Sequence, residues 1–369
     1  MIKYIAYFVL GFAALRLLVS LANYLFRDSL PKPARVSDAD HKSVSILIPA
    51  RNEAKNIGNL LSDLKQITDK TIGEIIVFDD QSEDGTAEIV LRHNLEDSRL
   101  RLIRSSSLPE GWGGKNYGCH CLSQNAKGHY LLFLDADVRI KPKFVDCALA
   151  YMKQKKVDLL TLFPTQEMKT LAEQMTVPNM HIILLTLLPL PLVRLSGFTS
   201  FSAANGQCML FRRTIYDILK PHEAYRQSKA EDIEIARYLK RQRRKVACIT
   251  GEEGIYCRMY DNLEMAINGF SKNVTYFFGN GNSYLLPGLY WLFTTFGIIA
   301  VASALPSIYL WSYVVVVVLT RLLVSMTARQ SVLRNLLLIL PQQLMLGAFI
   351  LRSWNNKRHR SFKWKGRII

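Results

Sequence analysis

The stretch Val44-Ser45-Ile46-Leu47-Ile48-Pro49-Ala50-Arg51-Asn52-Glu53 decides the fold. Its first half is a near-continuous apolar run, the pattern of a strand buried on both faces, and such strands belong to parallel sheets covered by helices on both sides. Its second half turns polar at once. The same sentence of sequence then repeats. Asn56 to Gln66 is amphipathic, with Ile57, Leu60, Leu61 and Leu64 on one helical face, and Glu74 to Phe78 is a second strand ending in Asp79-Asp80. Thr86 to His93 reads as a helix, Leu100 to Ile103 as a third strand, Lys115 to Gln124 as a helix, and Tyr130 to Leu134 as a fourth strand ending in Asp135-Ala136-Asp137. This β-α-β-α-β series predicts an α/β fold with a mainly parallel sheet. Ligands of such sheets bind at the carboxyl ends of the strands, which is where the polar residues gather. No G-x-G-x-x-G follows the first strand and no G-x-x-x-x-G-K-[ST] is present, so dinucleotide and P-loop folds are disfavoured.

Two carboxylates converging at a strand end are costly unless a cation or hydrogen-bond donors neutralise them. Asp135 and Asp137 therefore suit Mg²⁺ or Mn²⁺ bridging the phosphates of a nucleotide, although D-x-D alone is equally a polar loop. Asp79-Asp80 precede Gln81-Ser82-Glu83-Asp84-Gly85-Thr86, an acidic turn into a helix whose Asp84 also suits plain capping. Gly111-Trp112-Gly113-Gly114-Lys115 presents a lysine at a helix start, a place suited to an anion. Glu231-Asp232 opens a later helix, where an acid serves either the helix dipole or as general base on an acceptor hydroxyl. Arg258-Met259-Tyr260 and Lys272 read as surface charge or as phosphate ligands.

Outside this domain the chain changes character. Tyr4 to Phe26 is apolar except for Arg16, Ser20 and Asn23, the length of one bilayer span, and lacks the cleavage signal of a secretory peptide. Further apolar blocks run from Leu285 to Ser303, Ile308 to Ser325 and Leu333 to Leu351, the last interrupted by Pro341. Lys and Arg outnumber Asp and Glu 47 to 30, and mean hydropathy is +0.09, between a soluble enzyme and an all-helical transporter. The excess charge clusters beside the apolar blocks: Arg27, Lys32 and Arg35 after the first, and Arg352 to Ile369, basic without an acid, after the last. That placement predicts contact with anionic lipid and a cytoplasmic catalytic domain in a multi-pass protein of the inner or cytoplasmic membrane. Without a basic stripe interleaved with aromatics, nucleic acid is not an expected partner. The expected organisation is an anchor at 1–28, a catalytic domain at 40–275, membrane helices at 284–352 and a basic cytoplasmic tail at 353–369. Three full crossings after the domain would place that tail outside, so the Pro341 block is expected to be re-entrant or interfacial. Val177 to Phe201, apolar and carrying Pro178, Pro189 and Pro191, is expected to lie in the membrane interface and to lead an apolar acceptor to the site, a buried helix of the catalytic domain being the alternative. The six cysteines lack zinc or redox spacing and read as reduced and structural.

The ordered set Ile48-Pro49-Ala50-Arg51-Asn52-Glu53, Asp79-Asp80-x-Ser82, Gly114-Lys115, Asp135-Ala136-Asp137 and Glu231-Asp232 resembles the inverting glycosyltransferases of family two, whose nucleotide-sugar-binding fold is called GT-A. Arg258-Met259-Tyr260, Gly269-Phe270-Ser271-Lys272-Asn273 and Trp364-Lys365-Gly366-Arg367 resemble the branch that glucosylates a C30 carotenoid acid, diaponeurosporenoate. The resemblance implies that Pro49, Ala50, Arg51 and Glu53 border base and ribose. It implies that Asp79 or Asp80 contacts uracil or ribose, Lys115 and Asp135 the donor, and Arg258 the leaving diphosphate. Asp137 would hold Mg²⁺ or Mn²⁺, Asp232 would be the catalytic base, and Asn205, Gly206 and Glu231 would face the acceptor. The Q-x-x-R-W of processive polysaccharide synthases is missing, which favours a single transfer. The expected partners are a nucleotide-sugar donor, which the resemblance implies to be a UDP-sugar, a lipophilic acceptor and membrane lipid. A polyprenyl-phosphate sugar transferase, and a non-catalytic membrane protein that keeps the fold, stay open as alternatives.

Overall fold

The computed structural model describes residues 1–32, 37–279, 281, 283–359, 363–364 and 367–368. Arg35, Arg360, Lys365 and Gly366, used in the charge and motif arguments, lie outside the described residues. One sheet of eight strands carries the domain: β1 (Val44–Ala50), β2 (Ile72–Asp79), β3 (Leu100–Arg104), β4 (Tyr130–Leu134), β5 (Val138–Ile140), β6 (Leu159–Gln166), β7 (Cys208–Arg212) and β8 (Val246–Cys257). Their spatial order is β3-β2-β1-β4-β7-β6-β8-β5. The four expected strands run parallel in register, with Ile46 beside Ile75 and Leu132. β7 is antiparallel to both β4 and β6, and β5 is antiparallel to β8. The sheet is thus mixed α/β, parallel in its first half and of both senses in its second.

Alternation along β1 explains its apolar run. Ile46 and Ile48 enter one core with Leu60, Leu64, Leu132, Phe144 and Leu160, beneath the Ile57–Gln66 and Phe144–Lys155 helices. Leu47 enters the opposite core with Ile76, Phe133, Phe211, Leu122 and Ile235, beneath the Gly114–Asn125 and Glu231–Arg241 helices. Burial on both faces removes the polar half of the usual strand pattern.

The second core extends into a further helical layer through Leu185, Tyr290, Val324 and Phe349. Among the described residues three helices are long and apolar enough to cross a membrane: Ile2–Leu25, Leu285–Ala304 and Ser307–Thr327. The fourth apolar block breaks into Val332–Leu337 and Ile339–Arg358. The longer piece lies against the catalytic domain, with Phe349 5.2 Å from Phe270, Arg352 Nε donating to Asn268 Oδ1 at 3.0 Å, and Gln342 Nε2 donating to Gln174 O at 3.0 Å. The segment after Val177 forms two short helices, Pro178–Leu187 and Pro191–Leu195. Nearly every side chain of Pro178–Leu187 is buried between sheet and helical layer, so this part of the segment is a buried helix and not the expected interfacial one: its apolar side chains join the core that the sheet and the helical layer share. Asn23 of the first helix fastens it there, donating to Leu185 O and Leu188 O and accepting from Leu190 N.

Candidate active site

The carboxyl end of the sheet assembles the site. β1 delivers Arg51, whose guanidinium donates to Asp80 O and Gln81 O across the β1–β2 junction. Asn52 N donates to Ser82 Oγ at 2.9 Å, Glu53 N to Thr86 Oγ1 at 2.8 Å, and Ser82 N to Asp79 Oδ1 at 3.3 Å. Asp84 Oδ1 accepts from Thr86 N at 3.1 Å, one residue outside the N-cap, which is Gly85 in the left-handed region. Pro49, Ala50, Arg51, Glu53, Asp79 and Asp80 thus form one braced edge of the sheet.

β4 delivers the acidic pair. Lys115, one residue into its helix, places Nζ 2.8 Å from Asp135 Oδ1 and 3.2 Å from Glu231 Oε1. Gly206 makes this convergence feasible: a Cβ there would sit 2.9 Å from Lys115 Nζ, 3.3 Å from Glu231 Oε1 and 3.6 Å from Asp232 Cβ. Its backbone N–H donates to Asp232 Oδ2 at 2.9 Å, while Ile233 N donates to Oδ1 at 2.8 Å. Asp232 therefore has a fixed orientation set by β7's lead-in and its own helix start. Asn205 is tied to β6 by Thr161 Oγ1.

The electrostatics separate these acids. Burial raises Lys115's difficulty in carrying charge, but Asp135 and then Glu231 outweigh it and hold the ammonium well above its ordinary value. Burial raises the Asp135 carboxyl, partly offset by Lys115. Burial, then the neighbouring charges of Asp135 and Glu53, push Asp137 up to about 7. Burial, then the charge of Glu231, push Asp232 up to about 6. Glu231 goes the other way, because Lys115 and then Lys272 outweigh its burial. Carboxyls driven apart in this manner are candidates for distinct chemical roles.

Asp137 fits a metal ligand. Its Oδ1 is buried without a hydrogen-bond partner among the described residues, while the carboxyl meets Gln207 Nε2, which donates to Oδ2 at 3.5 Å, and the Cys257 thiol. No three His, Cys, Asp or Glu side chains converge to hold an ion unaided among the described residues. A divalent cation here would complete its shell with donor phosphate oxygens, the usual habit of Mg²⁺. Arg258, expected near the diphosphate, is instead engaged by Glu173 Oε1 at 2.7 Å and by Asp261 at 3.6 Å, and does not line the cavity.

That cavity holds about 1000 Å³. Lys115, Asp135, Asn205, Gly206, Glu231 and Asp232 line its polar end. Phe8 and Phe12 of the first helix, Leu184 and Leu187, and Tyr290 and Phe293 of the Leu285–Ala304 helix line its apolar end. Sequence reasoning missed the part of this apolar wall that the first helix and the Leu285–Ala304 helix supply. Phe8 and Phe12, and Leu286, Leu289 and Phe293, do recur at helical spacing, but the same stripe suits any lipid-facing span.

A sheet that gathers carboxylates at its strand ends, braces them with a lysine and opens into one deep cavity defines a nucleotide-sugar-binding domain of the GT-A kind. Residues 45–219 match the description Glycosyl transferase family 2, and the chain carries a domain of that family. It is 25% identical over 242 residues to a 4,4'-diaponeurosporenoate glycosyltransferase of Staphylococcus haemolyticus, covering 63% of this chain and 61% of that protein. It is 31% identical over 149 residues to the poly(ribitol-phosphate) beta-N-acetylglucosaminyltransferase TarS of Staphylococcus aureus, covering 38% of this chain and 25% of that protein. The chain therefore spans less than two thirds of either curated relative. Among solved structures it resembles the mannosyltransferase PcManGT of Pyrobaculum calidifontis, in complex with GDP-Man and Mn²⁺, with TM-score 0.58, 15% identity and coverage of 97% of this chain and 100% of that one. That likeness concerns the fold.

Proposed function

We propose that this protein is a membrane-embedded inverting glycosyltransferase that moves a hexose from a nucleotide sugar, a UDP-sugar by family resemblance, to a lipophilic acceptor such as a carotenoid acid or other lipid. One observation carries the reading: a single cavity joins Asp232 to aromatic side chains on two helices apolar enough to cross a bilayer. A water-soluble acceptor would have no use for that wall.

In this reading Pro49, Ala50, Arg51, Glu53, Asp79 and Asp80 border the base and ribose, and Lys115 and Asp135 position the sugar diphosphate. Asp232, oriented by two backbone N–H groups and with its carboxyl raised to about 6, takes the proton of the acceptor O–H, a hydroxyl or the acid form of a carboxyl, as that oxygen attacks the anomeric carbon and the nucleoside diphosphate leaves. Asn205, Gly206 and Glu231 shape the acceptor side. Asp137 is the residue that would hold Mg²⁺ or Mn²⁺, which when bound offsets charge on the leaving diphosphate. The pairing of Arg258 with Glu173 favours a bracing role for Arg258 over a donor contact.

The helical layer supports three crossings, Ile2–Leu25, Leu285–Ala304 and Ser307–Thr327, with the catalytic domain cytoplasmic. The test is transfer of labelled hexose by purified protein in lipid, with and without Mn²⁺, paired with mass spectrometry of lipids from cells carrying or lacking the gene. A hexose increment on a lipid that disappears in Asp232→Asn supports the reading. Absence of nucleotide-sugar turnover with every donor, metal present, refutes it.

A further inference from the structure

Lys240 is a buried lysine that the transfer chemistry leaves unused. It follows Asp232 by about two turns on the Glu231–Arg241 helix and is only 4% exposed. Its Nζ donates to Ser196 O at 3.1 Å, to Phe198 O at 3.4 Å and to Phe201 O. An ammonium carries three N–H groups and no acceptor, so three carbonyl oxygens use it fully. Among the described residues it makes no ion pair: on its own helix Glu234 is taken by Arg237, and on the adjoining Pro191–Leu195 helix Arg194 pairs with Asp28. A buried charge met by carbonyl groups alone is expensive, and an apolar replacement of similar shape often costs the fold nothing. Its use is therefore local, in the segment that it holds.

That segment has little else to hold it. None of residues 196–202 is buried, none joins a hydrophobic core, and Phe198 is 73% exposed. Their remaining hydrogen bonds are local: Ser196 N donates to Leu192 O, Phe198 N to Ser196 Oγ and Phe201 N to Phe198 O. Among the described residues, every hydrogen bond from 196–202 to a distant element ends on Lys240 Nζ. From Ala203 onward the chain is anchored independently, Ala203 and Ala204 in the core shared with the helical layer and Asn205 on Thr161. The segment matters because it joins the two ends of the cavity. Leu184 and Leu187 of the apolar end precede it, Asn205 and Gly206 of the polar end follow it, and its own Ser200 and Ser202 are part of the lining.

We propose that Lys240 is a positioning residue whose ammonium straps the 196–202 segment to the Glu231–Arg241 helix and so keeps that wall of the cavity in register with Asp232. Lys240 does not line the cavity and acts only through the segment. The kinetic consequence rests on the glycosyltransferase reading, in which this wall receives the acceptor; the strap itself rests on geometry alone.

Hydrogen exchange tests the strap without catalysis. The full chain in phosphatidylcholine nanodiscs is compared with Lys240→Met, which keeps the stem and removes the three donors. The amides of Ser196, Phe198 and Phe201 should exchange about ten- to a hundredfold faster in the variant, the scale of one charge-assisted hydrogen bond, while β6 and β7 keep their rates. Tm should stay level or rise, because a buried charge has gone. Transfer of labelled hexose is then measured with the lipid extract of cells lacking the gene as acceptor, its mole fraction varied. Lys240→Met should raise the acceptor KM about tenfold or more and leave kcat within about twofold, since Gly206 N and Ile233 N still orient Asp232. Unchanged exchange at 196–202 overturns the proposal. Faster exchange shared equally by β6 and β7 with a lower Tm also overturns it, because that marks a lysine that merely supports the fold. A loosened segment with an unchanged acceptor KM does so as well. A loosened segment in a protein that turns over no nucleotide sugar leaves the strap standing and removes the glycosyltransferase reading instead.

Discussion

The pH dependence of transfer offers the sharpest test of Asp232. Burial and the adjacent Glu231 charge push its carboxyl from the ordinary 3.8 up to about 6. The base form is the ionised one, so activity is present above this value and lost as pH falls through it. With an apparent value near 6, kcat/KM should fall about tenfold between pH 7 and pH 5, whereas a carboxylate at its ordinary value would lose under about a tenth over that interval. Glu231→Gln removes the like charge and should move the acid limb to lower pH, while Asp232→Asn should abolish the limb together with most of the rate. A general base of this kind contributes about 10²–10⁴-fold. The assay is initial-rate transfer at saturating cation across about pH 5 to 8 in a constant-ionic-strength buffer. A limb that stays near pH 4 in the wild type, or one that Glu231→Gln shifts upward, refutes the assignment. An Asp232→Asn enzyme with full activity refutes it more simply.

Three other expectations follow from the same geometry. Asp137 is raised to about 7, so in the metal-free protein its contribution to stability is present below the ordinary carboxylate value and lost as pH rises through 7. Asp137→Asn should accordingly raise Tm at alkaline pH without metal and remove any Mn²⁺-induced rise in Tm, both read by thermal shift. Gly206→Ala forces a Cβ against Lys115 Nζ and Glu231 Oε1 and should lower kcat about tenfold or more with little loss of Tm. Gly251 has φ +74°, and a side chain there would collide with Thr327 O where the Ser307–Thr327 helix meets β8. Gly251→Ala should therefore cost about 2–4 kcal/mol in denaturant unfolding, a strain and backbone-clash penalty.

The parts of this fold legible in the sequence are those whose burial leaves a one-dimensional trace. β1, β2 and β4 are buried on both faces, and their unbroken apolar runs show it. The acids that end them stand out because charge directly after a buried strand is rare without a reason. β7 left no such trace of direction. Cys208-Met209-Leu210-Phe211 reads alike whether the strand runs parallel or antiparallel to β4, since burial fixes composition and not sense. Lys115 and Glu231 were visible as separate residues, yet their shared ion cluster depends on Gly206 being small, a condition set by three elements at once. The apolar cavity wall is harder still. Phe12 and Tyr290 belong to helices that are apolar on nearly every face, so the aromatic and aliphatic side chains that line the cavity are of the same kinds as those exposed on the outside of the same helices.

The helical layer also bears on how the basic C-terminal region meets the bilayer. Ile2–Leu25, Leu285–Ala304 and Ser307–Thr327 contain no acid, yet Arg16 and Arg321 are both buried among them. Arg16 lies against the Phe12 and Tyr290 rings and donates to the Tyr290 hydroxyl, and Arg321 donates to Gln342 of the broken fourth block. Gln342 in turn donates to Asn335 Oδ1 and to Gln174 O of the catalytic domain. A block obliged to satisfy Arg321 on one side and Gln174 on the other is held at the level of the catalytic domain and is poorly placed to cross. In the proposed arrangement the paired helices 285–304 and 307–327 cross and return, so the block from Val332 onward and the basic residues Arg352, Lys357 and Arg358 lie on the cytoplasmic side, where the positive-inside tendency favours them. Leu333, Leu337, Leu340 and Trp354 stay exposed along that block, apolar side chains that a lipid interface would receive in this arrangement. Cysteine-accessibility labelling of Ser361→Cys in sealed inside-out vesicles checks this: labelling by an impermeant maleimide supports a cytoplasmic tail, and labelling only in right-side-out vesicles would require a third crossing after the catalytic domain.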